Sequence, residues 1–169
     1  MSTRPRRRVF ASLGSNLGDR LGFLRAARKA LSALPETTLL AASRVYETAP
    51  QHLADQPEFL NQVVCLETTL TPRELLAATQ RAEAEQGRVR GRRFGPRTLD
   101  IDILLFEGVE SGERELTIPH PRMTERAFVM APLAEVWGWA RGMPGLDVAA
   151  LARATAGTQT VRPFDTSEA

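Results

Sequence analysis

The clearest β-strand in the sequence is the stretch Thr98-Leu99-Asp100-Ile101-Asp102-Ile103-Leu104-Leu105, in which apolar and acidic residues alternate. Successive side chains of a strand point to opposite faces of its sheet. One face is therefore predicted to carry Leu99, Ile101, Ile103 and Leu105. The other face carries Asp100 and Asp102, although aspartate is disfavoured in strands.

The elements around this strand decide the fold class. Towards the N-terminus, hydrophobic periodicity and capping signals predict a helix from Thr71 to about Gln86, strands over 59–70 and 38–46, a helix capped by Asp19, and a strand over 9–13. The order strand, helix, strand, strand, helix, strand predicts an α+β, ferredoxin-like βαββαβ sandwich, with a mainly antiparallel sheet and helices packed on it. Downstream, we expect a short hairpin, a helical stretch broken by Pro132 and a last helix capped by Asp147.

Length and composition indicate one globular domain over residues 9–164, between a basic flexible tail (1–8) and a disordered tail (165–169). The 169 residues are 43% hydrophobic and 25% charged. The formal net charge of +2 falls to −2 when the four arginines within the first eight residues are left out. The body of the protein is therefore not expected to carry a broad basic surface for binding nucleic acid. The single cysteine, Cys65, and the absence of a secretory or membrane-spanning apolar run predict a cytoplasmic protein, and we expect a monomer.

The basic residues are almost all arginine, and five of them lie in one glycine-rich segment. Lys29 is the single lysine among 22 basic residues, and the sequence has neither a P-loop nor a dinucleotide-binding fingerprint. The segment 87–97 contains three glycines and five arginines and is predicted to be a mobile loop. Such a loop either contacts RNA or closes over a polyphosphate, and its single aromatic residue, Phe94, speaks against base stacking.

The two aspartates of the strand need a compensating partner. Their Cα atoms lie about 7 Å apart in an extended strand, where two negative charges repel by roughly 2 kcal/mol at an effective dielectric near 20. Either Asp100 and Asp102 face water or pair with the preceding arginines, or they hold Mg²⁺ beside a bound phosphate. The residues alone leave both interpretations open.

Several motifs in order resemble those of the 6-hydroxymethyl-7,8-dihydropterin pyrophosphokinase family, folate-pathway enzymes that transfer pyrophosphate from ATP to a pterin alcohol. The motifs are Leu13-Gly14-Ser15-Asn16-Leu17-Gly18, Tyr46-Glu47-Thr48-Ala49-Pro50, Asp55-Gln56-Pro57-Glu58-Phe59-Leu60-Asn61, Glu85-Gln86-Gly87-Arg88-Val89-Arg90, Arg93-Phe94-Gly95-Pro96-Arg97-Thr98-Leu99-Asp100-Ile101-Asp102, and Leu116-Thr117-Ile118-Pro119-His120-Pro121. The resemblance spans about residues 8 to 136 and implies a ferredoxin-like fold.

The resemblance also implies a set of site residues. Asp100 and Asp102 match the carboxylates that hold two Mg²⁺ ions, and Arg88 and Arg97 complete the catalytic set by gripping the phosphates. The positions that match ATP contacts are Gln80, Glu83, Arg88, Arg90, Arg97, Ile103, Leu116, Thr117, His120 and Arg126. The positions that match pterin contacts are Gly14, Thr48, Ala49, Phe59, Asn61, Phe94 and Phe128.

The sequence departs from the family pattern at a few places. Phe94 stands where some relatives have tryptophan, Gln51-His52 stand where an aliphatic residue and glycine are common, and Glu115 stands where some relatives have arginine. The rival hypothesis is a non-catalytic ferredoxin-like module that binds RNA or a protein partner. The RNA affinity of such a module would fall steeply with salt and would be unaffected by Asp100→Asn, whereas the enzyme would lose its activity on that change.

Overall fold

The computed structural model describes residues 3–50, 55–88 and 97–167. The strands within these ranges are β1 (Arg7–Ser15), β2 (Thr37–Ala42), β3 (Tyr46–Thr48), β4 (Phe59–Thr68), β5 (Asp100–Phe106), β6 (Ser111–Glu113), β7 (Leu116–Ile118) and β8 (Val161–Pro163). The α-helices are α1 (Arg20–Ser32), α2 (Pro72–Glu85), α3 (Ala127–Val136) and α4 (Val148–Thr155). In the part of the chain so described, no helix is both long enough and apolar enough to cross a membrane.

The main sheet is antiparallel and has β1 near its centre. β1 pairs with β4 on one side and with β5 on the other, and β4 pairs along its length with both β2 and β3. β8 extends the sheet at the free edge of β3, while β6 and β7 form a separate hairpin. With α1 following β1 and α2 following β4, this arrangement confirms the predicted ferredoxin-like order.

Helices α1 and α2 cover one face of the sheet, as their sequence signals predict. The Asp19 side chain accepts a hydrogen bond from the Gly22 N–H at 3.1 Å, and Thr71 and Glu74 form a reciprocal capping box. The apolar side of α1 buries Leu21, Leu24, Ala27 and Leu31. These side chains pack with Val9, Ala11, Leu13, Ile101 and Ile103 from the sheet.

A second apolar layer covers part of the opposite face. Helices α3 and α4 pack there on Phe10, Val63, Cys65 and Leu104. The predicted break of α3 at Pro132 is wrong, because the helix continues to Val136. Proline removes one backbone donor, and the buried neighbours Met130 and Leu133 keep the helix continuous by packing on the sheet.

The predicted strand over 38–46 is also wrong in its continuity, because the structure divides it into β2 and β3. Ser43 causes the break: its backbone N–H donates to the Val63 carbonyl at 2.9 Å, and its Oγ accepts from the Val63 N–H at 3.0 Å. The Ser43 hydroxyl thus accepts the hydrogen bond that a backbone carbonyl would otherwise accept from β4. The chain gains one residue relative to β4 between Ala42 and Tyr46.

The register of one strand pair and the start of β1 also differ from expectation. The register between β1 and β5 shifts by one residue, so that Phe10 faces Leu105 while Ala11 faces Ile103. This bulge resets the alternation of side chains, and Leu105 therefore packs with the layer of α3 and α4 instead of with Ile101. At the N-terminus, β1 begins at Arg7, two residues earlier than predicted, and Arg4 forms an ion pair with Glu74.

Candidate active site

A cavity of about 320 Å³ opens on the sheet face that carries α3 and α4. The sheet register builds its floor, since Gly14 of β1 lies opposite both Asp100 of β5 and Asn61 of β4, and Ser12 lies opposite Asp102. The sequence-predicted residues that line it are Gly14, Thr48, Ala49, Phe59, Asn61, Arg88, Arg97, Asp100, Asp102, His120, Arg126 and Phe128. The structure thus brings acidic, basic, aromatic and amide side chains from distant parts of the sequence together.

Asp100 is held between two arginines. Arg97 donates to Asp100 Oδ2 at 2.9 Å, while Arg88 donates to Asp100 Oδ1 and, at 2.7 Å, to Glu83 Oε2. Burial alone would raise the pKa of Asp100, but the guanidinium groups of Arg97 and Arg88 outweigh it and hold that pKa below its usual range. Asp100 is therefore ionised and serves to hold the two arginines at the cavity.

Glu83 supports this cluster from α2 without lining the cavity. Its Oε2 also accepts a hydrogen bond from the Ile101 N–H at 2.8 Å, which joins α2 to the start of β5. Burial, followed by the negative charge of Asp100, raises the pKa of Glu83 despite the Ile101 N–H. Glu83 thus acts as a support for Arg88 and β5.

Asp102 has the opposite environment. No ion pair or hydrogen bond reaches its carboxylate from residues 3–50, 55–88 or 97–167. Burial, followed by the charge of Asp100, raises the pKa of Asp102 to about 7, with Arg126 only partly offsetting this rise. Asp102 is the uncompensated acid of the site.

The donor set fits a hard divalent cation that brings other ligands with it. Within the described ranges no group of three or more His, Cys, Asp or Glu residues could hold a metal ion. Mg²⁺ is usually bound by one or two carboxylates together with waters and substrate phosphates, not by an all-protein cage. Two carboxylates on one strand face, one of them without a cationic partner, agree with that mode of binding.

The aromatic part of the cavity lining is suited to a flat heterocycle. Phe59 and Phe128 supply aromatic rings, over which the Arg97 and Arg126 guanidinium groups lie at 5.8 and 5.5 Å. Asn61 donates from Nδ2 to Thr48 Oγ1, which fixes the orientation of its amide. A Cβ at Gly14 would lie 2.9 Å from Asn61 Oδ1, so the absence of a side chain there lets the amide lie over β1.

Asn16 joins two segments that border the cavity. Its Oδ1 accepts from the Arg97 N–H at 2.9 Å, and its N–H donates to the Arg97 carbonyl at 3.1 Å. Its Nδ2 donates to Gln56 Oε1 at 2.9 Å and to the Pro57 carbonyl at 3.0 Å. With only 1% of its surface exposed, Asn16 is a buried clamp for both segments.

His120 is neutral in this environment. Burial, followed by the positive charge of Arg126, lowers the pKa of His120 to about 4. Its backbone N–H donates to the Leu104 carbonyl at 2.9 Å, which fixes the turn against β5. His120 therefore offers an uncharged ring to the cavity at neutral pH.

Other predicted residues lie away from the cavity lining. Gln80 is exposed on α2, Ile103 and Leu116 are buried in the core beneath α1 and α2, and the Thr117 hydroxyl donates to the Glu113 carbonyl at 2.9 Å. Glu115, noted as a departure, forms an ion pair with Arg73 at 3.3 Å. Predictions for Arg90, Phe94 and Gln51-His52 lie outside the described residues.

The sequence interpretation assigned no role to four residues of the site. Ser12, Gln56 and Gln159 line the cavity, and Asn16 clamps its border. The sequence could have indicated three of them, because Ser12 shares a strand face with Gly14, and Asn16 and Gln56 lie within motifs that resemble those of the family. Gln159 follows α4 and carried no signal in the sequence.

Comparisons with known proteins agree on one family. Residues 10–138 match the family described as 7,8-dihydro-6-hydroxymethylpterin-pyrophosphokinase (HPPK). A 2-amino-4-hydroxy-6-hydroxymethyldihydropteridine pyrophosphokinase of Bacillus subtilis is 49% identical over 128 residues, which is 76% of this chain and 77% of that protein. The protein of the same name from Pseudomonas aeruginosa is 50% identical over 129 residues, 76% of this chain and 80% of that protein.

A solved structure supports the fold. The wild-type HPPK-DHPS of Plasmodium falciparum aligns with a TM-score of 0.67 at 13% identity, over 93% of this chain and 46% of that one. The chain therefore spans less than half of this solved protein. At this identity the likeness concerns the fold alone.

Proposed function

The chain belongs to the 7,8-dihydro-6-hydroxymethylpterin-pyrophosphokinase family, and from this premise we propose that it transfers pyrophosphate from ATP to 6-hydroxymethyl-7,8-dihydropterin in folate synthesis. In this reaction the pterin hydroxyl oxygen forms a bond to the β-phosphorus of ATP. The bond between the β-phosphorus and the oxygen bridging to the α-phosphorus breaks. The products are AMP and the pterin diphosphate.

The observation that carries the proposal is the contrast between Asp100 and Asp102 at one end of a cavity whose other end suits a flat ring. We propose that Asp100 and Asp102 hold two Mg²⁺ ions, which when bound neutralise the triphosphate and favour in-line transfer. The carboxylates lie beside Arg88 and Arg97, so nucleotide phosphates bound there meet two guanidinium groups already oriented by Asp100. This preorganisation lets the arginines stabilise charge on the transferring group.

The ring end positions the acceptor. Phe59 and Phe128 give apolar contact to the pterin faces, and the oriented Asn61 amide offers a hydrogen-bonding edge. Thr48 and Ala49 border the same end. The proposed site therefore holds the pterin hydroxymethyl group towards β5, where the phosphates are expected.

We extend the proposal to the remaining ATP contacts and to the state of the protein. Arg126 and His120 line the cavity, and the charge of Arg126 acts on Asp102. Both are proposed to contact ATP, together with Gln80, Glu83, Arg90, Ile103, Leu116 and Thr117. We propose a single domain that begins with β1 at Arg7, two residues before the predicted start, extends to residue 164, works as a cytoplasmic monomer and does not bind nucleic acid. The near-neutral body supports the proposal that the protein does not bind nucleic acid, and the single cysteine, which leaves no disulfide within the chain, agrees with a reducing compartment.

Analysis of nucleotide products tests the function. The protein is incubated with ATP and Mg²⁺, with and without 6-hydroxymethyl-7,8-dihydropterin, and we expect AMP only when the pterin is present. Asp102→Asn should abolish AMP formation, whereas Asp165→Asn, an exposed aspartate near the C-terminus, should not. Formation of ADP or pterin-independent hydrolysis would contradict the proposed transfer. Absence of turnover, together with salt-sensitive RNA binding that survives Asp102→Asn, would favour the rival binding module.

A further inference from the structure

The segment after α4 forms one wall of the cavity. β8 pairs with β3 so that Val161 lies opposite Thr48, and the Ala49 N–H donates to the Thr160 carbonyl at 3.0 Å. Gln159, just before this pairing, lines the cavity. The family match ends at residue 138, so this wall comes from a part of the chain beyond it.

The wall is anchored firmly enough to place a side chain. Arg162 forms ion pairs with Glu47 and Glu58, each at 2.6 Å, and the Phe164 N–H donates to the Val45 carbonyl at 2.8 Å. These contacts hold β8 and the residue that follows it against the edge of the sheet. Gln159 is therefore held on an ordered edge.

The two ends of the Gln159 amide have different environments. Nε2 donates to the Ala49 carbonyl, which fixes which way the amide points. Oε1 is buried, and no donor in the described part of the chain bonds to it. A buried acceptor without a partner is unfavourable, and its place on a cavity wall indicates a donor on the ligand.

The strand order decides which part of the ligand this acceptor meets. β5, with Asp100 and Asp102, lies at one edge of the sheet, and β8 lies at the other, with β1, β4 and β3 between them. The phosphates are proposed at β5, so the acceptor beside β3 faces the ring. A pterin ring carries amino and ring N–H groups as donors, whereas phosphates at neutral pH offer mainly acceptors.

We infer that Gln159 is a further pterin-binding residue: its Oε1 accepts a hydrogen bond from an N–H of the ring, while its Nε2 holds the Ala49 carbonyl at the ring's edge. This inference rests on the proposed function, because it needs the pterin as ligand. It assigns to the C-terminal wall a role in recognising the acceptor substrate and none in binding ATP.

The test compares Gln159→Leu with Thr158→Val, a change of an exposed neighbour that does not line the cavity. Pterin binding is titrated by its fluorescence in the presence of Mg²⁺ and the non-hydrolysable analogue α,β-methylene-ATP. We expect the pterin Kd of Gln159→Leu to rise about tenfold, the size of one lost hydrogen bond in a buried site. The Kd of the nucleotide analogue without pterin should stay unchanged, and thermal melting should show that the variant remains folded. Thr158→Val should bind the pterin and the nucleotide as the wild type does, and its thermal midpoint should fall slightly because the Thr158 hydroxyl no longer donates to the Thr155 carbonyl.

A second variant protects the test from a folding defect. Gln159→Met keeps an unbranched side chain of similar length without polar ends, and the same loss of pterin affinity is expected. A pterin Kd within twofold of the wild type in a folded Gln159 variant would overturn the inference, as would an equal loss in Thr158→Val. If the wild type forms no AMP from ATP and pterin, the proposed function fails; if it does and Gln159 is neutral, only this inference fails.

Discussion

Asp100 and Asp102 lie two residues apart on one face of β5, yet their pKa values are displaced in opposite directions. Arg97 and Arg88 hold the pKa of Asp100 low against its burial, whereas burial and the charge of Asp100 raise the pKa of Asp102 to about 7. One carboxylate is saturated by protein cations, and the other is left uncompensated. Without a bound cation, Asp100 therefore orients the two arginines and Asp102 lacks an ion-pair partner in the described part of the chain; both carboxylates are proposed to hold Mg²⁺ when it is bound.

This division predicts opposite effects of two matched substitutions on the free energy of unfolding. Asp100→Asn removes the negative charge between Arg88 and Arg97 and should destabilise the protein by about 2 kcal/mol. Asp102→Asn removes an unfavourable buried charge and should stabilise the metal-free protein at pH 8. Urea denaturation in EDTA measures both, and shifts of the two variants in the same direction would contradict the assigned environments.

The stability of the metal-free protein should depend on pH through Asp102. Its folded pKa of about 7 is above the usual value of 3.8, so the folded state binds the proton more tightly than the unfolded chain. The resulting stability is complete below the unfolded pKa and is lost as pH rises to about 7. Between about pH 5 and about pH 8, the wild type should lose stability relative to Asp102→Asn. A constant difference between them across this range would show that the pKa of Asp102 is not raised.

Gly14 should matter for the pterin and not for the fold in general. In Gly14→Ala the new methyl group would lie 2.9 Å from Asn61 Oδ1 and should displace the amide from Thr48. We expect the KM for the pterin to rise about tenfold, with a smaller change in the KM for ATP. Gly112→Ala is the matched control, because a Cβ there meets nothing within 4 Å. Unchanged pterin kinetics in Gly14→Ala would show that the Asn61 amide is not part of the ring site.

Asn16→Ala should impair both stability and turnover, because one buried side chain bonds Arg97, Gln56 and Pro57. We expect a loss of about 1–3 kcal/mol in the free energy of unfolding and a lower kcat/KM. Asn16→Asp keeps the acceptor for the Arg97 N–H but places a buried carboxylate oxygen against Gln56 Oε1 and the Pro57 carbonyl, so it should lose at least as much stability as Asn16→Ala. Leu17→Ala, at a neighbour that is 47% exposed, serves as control. Wild-type kinetics in a folded Asn16→Ala protein would show that the hydrogen bonds of Asn16 are not needed for turnover.

The features that local sequence signals predicted are those that depend on neighbours in the chain. Helices α1 and α2 were predictable because Asp19 and Thr71 are caps and the apolar residues recur at helical spacing. Asp100 and Asp102 were predictable as a pair because alternation along a strand fixes their common face. The family motifs then added residues from other strands that the fold brings to the same cavity.

The features that sequence did not predict depend on contacts between distant segments. The break at Ser43 and the bulge between β1 and β5 arise from pairing with another strand, which leaves no local pattern. β8 has three residues, and its partner strand β3 lies more than a hundred residues earlier in the sequence. Gln159 was missed for the same reason.

Nucleotide binding with and without Mg²⁺ tests the central claim most directly. Isothermal titration of α,β-methylene-ATP into the wild type, Asp102→Asn and the control Asp165→Asn is carried out in Mg²⁺ and in EDTA. We expect Mg²⁺ to raise the affinity of the wild type and of Asp165→Asn by about tenfold or more and to leave that of Asp102→Asn nearly unchanged. Equal affinity of the wild type with and without Mg²⁺, or an undiminished effect of Mg²⁺ in Asp102→Asn, would contradict a cation seat on this face of β5.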